Sequence, residues 1–278
     1  MTRTPELQES RGQQLARLVR AFAANPVVVG RSLPGEFRQR HGSVKYGATQ
    51  LDESWFEHLH GMLGAAWPCP EPDRLDALMA EISGLLSHHG LGSGRRTYGW
   101  YSDAEVFLCR AMWCAAVHTR PEVVVETGVA HGVSSRVVLE ALRRNDHGHL
   151  WSIDLPHPLD QQLHGDTAVA VPADRRDRWS YLEGTSRLRL PALVADVGRV
   201  DLFIHDSLHT ARNTLFELEQ VAPALTPGGV MLVDDIKSHT GFATFARRHP
   251  EYHTIVCESL DVIGMFGIAV KAGSRRAG

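Results

Sequence analysis

The feature that most limits how this 278-residue chain can fold is a regular alternation of short apolar runs with amphipathic stretches between about residues 102 and 248. Strand patterns fall at 123–127, 149–154, 179–183, 200–206 and 230–235. Helix patterns fall at 133–144, 210–225 and 240–248, with a helical turn at 186–194. Continuous apolar strands separated by helices predict a parallel sheet covered on both faces. The alternation then breaks. Runs 252–258 and 262–270 are both strand-like, and the segment between them is too short for a helix, so they should pair antiparallel. The expected fold is α/β: a doubly wound, mostly parallel, Rossmann-like sheet of seven strands closed by an antiparallel C-terminal hairpin. A dinucleotide dehydrogenase does not end this way.

Residues 1–95 lack the alternation. The spacing of Leu15, Leu18, Val19 and Phe22 predicts an amphipathic helix over 13–24. Further helices are expected over 53–63 and 73–88, separated by Pro68, Pro70 and Pro72. Segment 30–48 reads as a loop, and its Arg31, Arg38, Arg40, His41 and Lys45 as solvated. The three glycines of 87–94 read as a linker. Ser102 and Glu105 have capping-box spacing ahead of a helix carrying Val106, Leu108, Cys109, Met112 and Trp113. The chain is therefore expected to divide into a helical and loop extension over 1–95, a lid or oligomer contact, and a cofactor-binding domain over 96–278.

The charge balance excludes some functions. A net charge of -3 gives no basic footprint for nucleic acid. No apolar run approaches the roughly 20 residues needed to cross a bilayer. Residues 1–12 are polar and do not read as a secretory signal. Cys69, Cys109, Cys114 and Cys257 form no CxxC pair, so reduced thiols in a cytoplasmic protein are expected. Many of the 16 histidines, including His88, His89, His147, His149, His157 and His164, sit in polar stretches and read as solvated, without metal-ligand spacing.

Two constellations carry chemistry. In the first, Val123-Val-Val-Glu126-Thr-Gly128-Val-Ala-His-Gly132-Val-Ser134 runs from a buried strand into a helix. Gly128 permits a sharp turn and close backbone approach, and Gly132 lets the helix start near the strand. The helix N-terminus then offers free N–H groups to an anionic group. Asp154, ending the next strand, suits ribose hydroxyls, its plainer alternative being a helix cap. Gly184-Thr185-Ser186 ends the third strand as a small-residue turn on which an adenine ring can lie.

The second constellation is His205-Asp206-Ser207-Leu208-His209-Thr210 with Val233-Asp234-Asp235-Ile236. In a doubly wound sheet both lie outside the carboxyl ends of strands, where ligands bind. Carboxylates crowded there repel one another, and a divalent cation removes that penalty. Oxygen ligands favour Mg²⁺ or Mn²⁺. The plainer alternatives are a capping role for Asp234 or Asp235 and a helix-start role for His209. Strand alternation turns His205 away from Asp206, toward the core. Tyr98-Gly-Trp-Tyr101 is either part of a lid or linker packing, and the insertion 155–173 is positioned to shape an acceptor pocket.

Glu126-Thr-Gly-Val-Ala-His-Gly132, Asp154, the Leu225-Thr-Pro-Gly-Gly229 turn and the terminal hairpin together resemble the class I S-adenosylmethionine-dependent methyltransferases over roughly residues 98–272. The resemblance implies that Glu126 contacts the amino-acid end of the cofactor through the loop and that Asp154 holds the ribose. Gly128, Gly132, Ser134, Gly184, Thr185, Ser186 and Asp206 complete the expected cofactor surface. The acidic constellation resembles that of the metal-dependent O-methyltransferases, of catechol type and more closely of the macrolide-sugar (macrocin and mycinamicin) type. By that resemblance Asp206, Asp234 and Asp235 bind the metal and His209 is the base. The Asp-Asp pair fits the sugar type better than the Asp-Asn of the catechol type. The implied function is metal-assisted methylation of a small-molecule hydroxyl, on a sugar of a natural product or another diol, by a homo-oligomer. Two other readings stay open: a cephalosporin-hydroxylase-type protein with the same fold and another reaction, and a non-catalytic cofactor-binding subunit.

Overall fold

The computed structural model describes residues 54–91, 103–155, 161–260 and 264–273. The expected helix at 13–24, the basic stretch 31–45, the aromatics 98–101, Ser102 and the prolines at 156 and 158 lie outside them.

Among the described residues seven strands and seven α-helices follow in chain order: α1 (Trp55–Leu63), α2 (Glu71–His88), α3 (Val106–Thr119), β1 (Val123–Thr127), α4 (Val133–Asn145), β2 (His149–Asp154), β3 (Trp179–Glu183), α5 (Ser186–Val197), β4 (Val200–His205), α6 (Ala211–Val221), β5 (Leu225–Val233), α7 (Gly241–Arg248), β6 (Tyr252–Glu258) and β7 (Met265–Lys271). Short 3₁₀ turns lie at Gln161–Asp166, Ala173–Arg175 and Ile236–Ser238. The sheet order is β3-β2-β1-β4-β5-β7-β6. The first five strands are parallel, and β7 runs antiparallel to both β5 and β6. This is the expected doubly wound sheet with its terminal hairpin.

Strand alternation divides the core in two. On one face Val124, Leu150, Leu202, Ile204, Val230, Leu232 and Ile268 pack with α1, α2, α3 and α4. On the other, Val123, Val125, Phe203, Met231 and Val233 pack with α5, α6 and α7. Trp55, Leu59, Leu75, Leu78, Ile82 and Leu86 of α1 and α2 belong to the first of these clusters. Trp55 also meets Phe266 of β7 edge-on, with ring centroids 5.3 Å apart. The two N-terminal helices therefore cover the same sheet face as α3 and α4.

Several boundaries differ from the sequence reading. Glu105 itself caps α3, its carboxylate accepting the Phe107 and Leu108 N–H groups at 3.0 and 2.7 Å. Pro72 sits in the first turn of α2, where a missing N–H costs nothing, and does not separate two helices. The turn expected at 186–194 is a full helix to Val197, stopped by Gly198 in the left-handed region at φ 68°. Helix α6 ends at Val221, not 225, because Leu225 already pairs with Val200 of β4. The Leu225–Gly229 turn is the start of β5, with a register shift between Val200 and Leu202.

Candidate active site

Backbone hydrogen bonds beyond the strand ends fix the site. The Gly128 N–H donates to Ile153 O, the Asp206 N–H to Thr127 O, the Asp234 N–H to His205 O and the Gly184 N–H to Asp154 O, all at 2.8–2.9 Å. The carboxyl ends of β3, β2, β1, β4 and β5 are thereby locked side by side. Both constellations stand along this one edge, around the β1/β4 switch point where doubly wound sheets bind ligands.

Gly128 adopts φ 89°, and a Cβ there would lie 1.9 Å from the Asp206 carbonyl oxygen. Only glycine fits, and the 128–132 loop therefore packs directly on the chain bearing the acidic cluster. Helix α4 begins at Gly132, with φ 86° and no side chain capping its N–H groups. Glu126 is fully buried. The Ser134 hydroxyl donates to its Oε1, and the Ser135 and Ser152 hydroxyls to its Oε2, each at 2.6 Å. Glu126 thus braces the loop through the start of α4, and the Ser134 hydroxyl is committed to that brace. Burial pushes its carboxyl above the usual carboxylate range despite the three hydroxyls. His131, also buried, is clamped by Asp103, which accepts from its ring Nδ1 side at 2.8 Å and from its backbone N–H at 3.3 Å.

Asp154 ends β2 beside that loop. Burial raises its carboxyl to about 7, against the pull of the Leu155, Val129 and Ala130 N–H groups. An acidic side chain held there suits hydroxyl donors. Gly184, at φ 141°, and Thr185, with extended backbone, form the turn into α5 beyond β3.

Asp206, His209 and Asp234 gather, and Asp235, expected among the metal ligands, is not in that group. His209 Nε2 lies 3.4 Å from Asp206 Oδ1 and 3.7 Å from Asp234 Oδ2, and its Nδ1 lies 3.7 Å from Asp235 Oδ2. One donor atom each from Asp206, His209 and Asp234 lies within 4.8 Å of the others. Asp235, left-handed at φ 47°, approaches from the far side of the imidazole. Desolvation raises Asp206, and desolvation together with Asp206 raises Asp234 to about 7. The carboxylates outweigh burial at His209 and lift it to about 9. The site thus accumulates negative charge around one imidazole, and its oxygen donors fit a hard dication.

One central residue escaped the sequence reading. Glu217 of α6 is fully buried and accepts from His205 Nδ1 and Thr127 Oγ1 at 2.6 Å on one oxygen, and from Ser207 Oγ and Asn213 Nδ2 at 2.7 Å on the other. Ser186 donates as well. One carboxylate therefore ties together the end of β1, the start of α5, the end of β4 and the loop carrying Asp206 and His209. Its pKa falls to about 2, because His205 and the donors outweigh desolvation. Beyond it, the Gly241 N–H donates to His239 Nδ1, His239 Nε2 meets Thr214 Oγ1 at 3.1 Å, and Thr214 Oγ1 meets His205 Nε2 at 2.9 Å. Burial holds His239 down at about 3, hence neutral. His205 is a core residue of this chain of hydrogen bonds, as strand alternation predicted.

Comparisons with known proteins bear on the fold that carries this site. A protein-family model described as a methyltransferase domain matches residues 125–236, from β1 to just beyond Asp234 and Asp235. No curated protein matches the chain. Among solved structures, an O-methyltransferase from Bacillus cereus in complex with SAH superposes with a TM-score of 0.53 at 13% identity, covering 79% of this chain and 99% of that one. The O-methyltransferase TomG from Streptomyces achromogenes, involved in tomaymycin synthesis and in complex with SAM, superposes with a TM-score of 0.51 at 15% identity, covering 70% of this chain and 90% of that one. Among the described residues no helix is long and apolar enough to cross a membrane. Residues 125–236 match a methyltransferase-domain model, and by architecture the chain has the Rossmann-like methyltransferase fold.

Proposed function

We propose that the protein transfers the methyl group of S-adenosylmethionine to a hydroxyl oxygen of a small molecule, assisted by a divalent cation. The observation that carries this reading is the convergence of Asp206, His209 and Asp234 within 4.8 Å, on the sheet edge that also bears the Gly128 loop and Asp154. The cofactor supplies a methyl group activated on a sulfonium. The chain's part is to hold it: Asp154 faces the ribose hydroxyls, the Glu126 brace keeps the 128–132 loop in shape for the amino-acid end, and the Gly184–Ser186 turn takes the adenine.

Asp206 and Asp234 would hold Mg²⁺ or Mn²⁺, which when bound supplies Lewis-acid polarisation of an acceptor hydroxyl, while Asp235, on the other side of His209, lies outside that donor group. His209, lifted to about 9 by these carboxylates, would be the proton acceptor once a bound dication offsets their charge and lowers its pKa. As the new O–CH₃ bond forms and the S–CH₃ bond breaks, the hydroxyl proton passes to the imidazole and S-adenosylhomocysteine leaves. Two adjacent oxygens chelate a cation better than one, so a vicinal diol, such as a sugar of a natural product, is the acceptor class this cluster favours.

The test is incubation with S-adenosylmethionine and a panel of diols, with and without Mg²⁺, read by product mass. A gain of one methyl group that EDTA abolishes is expected. Methylation undiminished by EDTA and by Asp206→Ala would remove the metal from the proposal, and cofactor binding without turnover on any diol would make the chain a binding subunit.

A further inference from the structure

A second cluster of donor atoms lies away from the acidic site. His60 comes from α1, Cys69 from the segment between α1 and α2, and Cys114 and His118 from α3. The i,i+4 spacing of Cys114 and His118 sets them on one face of the helix. One donor atom of each residue lies within 4.8 Å of those of the other three. Cys69 Sγ is 3.3 Å from His118 Nε2, and the His60 and His118 ring centroids are 5.2 Å apart. His60 and Cys114 are buried, and Cys69 and His118 are partly buried.

The orientation of His60 is what points to a ligand. Its Nδ1 donates to the Phe56 carbonyl at 2.6 Å, which fixes the tautomer and leaves a lone pair on Nε2. Nε2 is buried and has no hydrogen-bond partner. Phe56 and Trp67 pack on the ring, with centroids 4.7 and 5.1 Å away, so the imidazole cannot easily turn that lone pair elsewhere. A buried unpaired acceptor is costly unless something meets it.

We propose that His60, Cys69, Cys114 and His118 bind a structural zinc ion that fastens α1 and the segment preceding α2 to α3. Two thiolates and two imidazoles form a closed tetrahedral set of borderline-soft donors, the chemistry of structural zinc, and it leaves no open position for catalysis. The set is neutral with a dication, which suits its largely apolar surroundings. It differs in kind from the oxygen-rich cluster of Asp206 and Asp234. It is also remote from it: Glu105, at the other end of α3, lies toward Asp234, and 9–13 residues of helix separate Glu105 from Cys114 and His118, about 14–20 Å at 1.5 Å per residue. A nine-residue helix such as α1 is not stable by itself, so a metal tie would add to the anchoring that Trp55 and Leu59 provide.

The test uses the full-length chain purified from zinc-supplemented cells and dialysed against metal-free buffer. Elemental analysis should find about one zinc per chain, retained in Asp206→Ala and lost in the Cys69→Ser/Cys114→Ser double variant. Wild-type protein stripped with a chelator and titrated with Co²⁺ should develop ligand-field bands of tetrahedral cobalt with strong thiolate-to-cobalt absorption. Its melting temperature should fall on stripping and return with Zn²⁺. The cobalt titration needs no variant, so a misfolded double variant does not weaken the test. Absence of zinc together with absence of thiolate-to-cobalt absorption would overturn the proposal, as would zinc that leaves with Asp206→Ala and stays in the double cysteine variant. None of these readouts depends on methyl transfer, so the two proposals stand or fall separately.

Discussion

Glu217 and His205 share a 2.6 Å hydrogen bond with both side chains fully buried, and through it a helix on one face of the sheet holds the loop that carries the acidic cluster. The same carboxylate receives Thr127 from the end of β1. Glu217→Gln keeps the size but loses acceptor capacity on one oxygen and the charge facing His205. Breaking a buried charged network from one side costs roughly 3–5 kcal/mol. Urea denaturation of the variant should show a loss of that order, with an unchanged m-value.

The same group predicts an acid limb of stability. Its folded pKa of about 2 is depressed below the ordinary 4.5, so the stability it contributes is fully present above about 4.5 and is lost as pH falls through about 2. The contribution is on the order of 3 kcal/mol. In wild type, unfolding free energy should drop steeply over that window. In Glu217→Gln the drop should be shallower by about that amount, and equal slopes would show that other carboxylates govern acid unfolding.

Gly128→Ala should be severe. The new Cβ meets the Asp206 carbonyl, which is backbone and cannot swing aside, and φ 89° adds strain of about 1–3 kcal/mol. Binding of S-adenosylhomocysteine, measured by calorimetry, should disappear or weaken strongly. Wild-type affinity in this variant would mean that the loop does not form the cofactor cradle.

Asp154 gives a pH dependence of cofactor binding. Its carboxyl, raised to about 7, accepts hydrogen bonds from ribose hydroxyls best when ionised. Affinity for S-adenosylhomocysteine should therefore rise as pH increases through about 7. Asp154→Asn should flatten that profile and lower affinity at pH 8 by about 1.5–3 kcal/mol. A profile unchanged by the substitution would place the ribose elsewhere.

At the reacting end, His209→Ala should reduce kcat by about 10²–10⁴-fold while leaving S-adenosylhomocysteine affinity near wild type. A loss confined to cofactor affinity would count against the imidazole as proton acceptor.

Much of this was legible in the chain because local pattern and tertiary role coincide. β1, β2, β3 and β6 stand where their apolar runs end, and Asp154, Asp206 and Asp234 sit where a strand meets the carboxyl edge. The misses have a common physical origin. Glu217, Asn213 and Thr214 are polar residues on a helix, a class that usually faces solvent, whereas they are part of the buried face of α6 near His205. Similarly, Cys69 and Cys114 show no local spacing, because their neighbourhood is made by three segments that the fold alone brings together. Only the interval from Cys114 to His118, one helical turn, was visible in the sequence.

The place of β7 between β5 and β6 has a consequence for biosynthesis. During elongation β5 and β6 emerge first, and neither can pair with the other in the native order. The strand that joins them, Met265–Lys271, leaves the ribosome after both. Until it slots in, the apolar edge of β5 is an open template for foreign strands. A nascent chain stalled near residue 260 is therefore the form of this protein most in need of a chaperone.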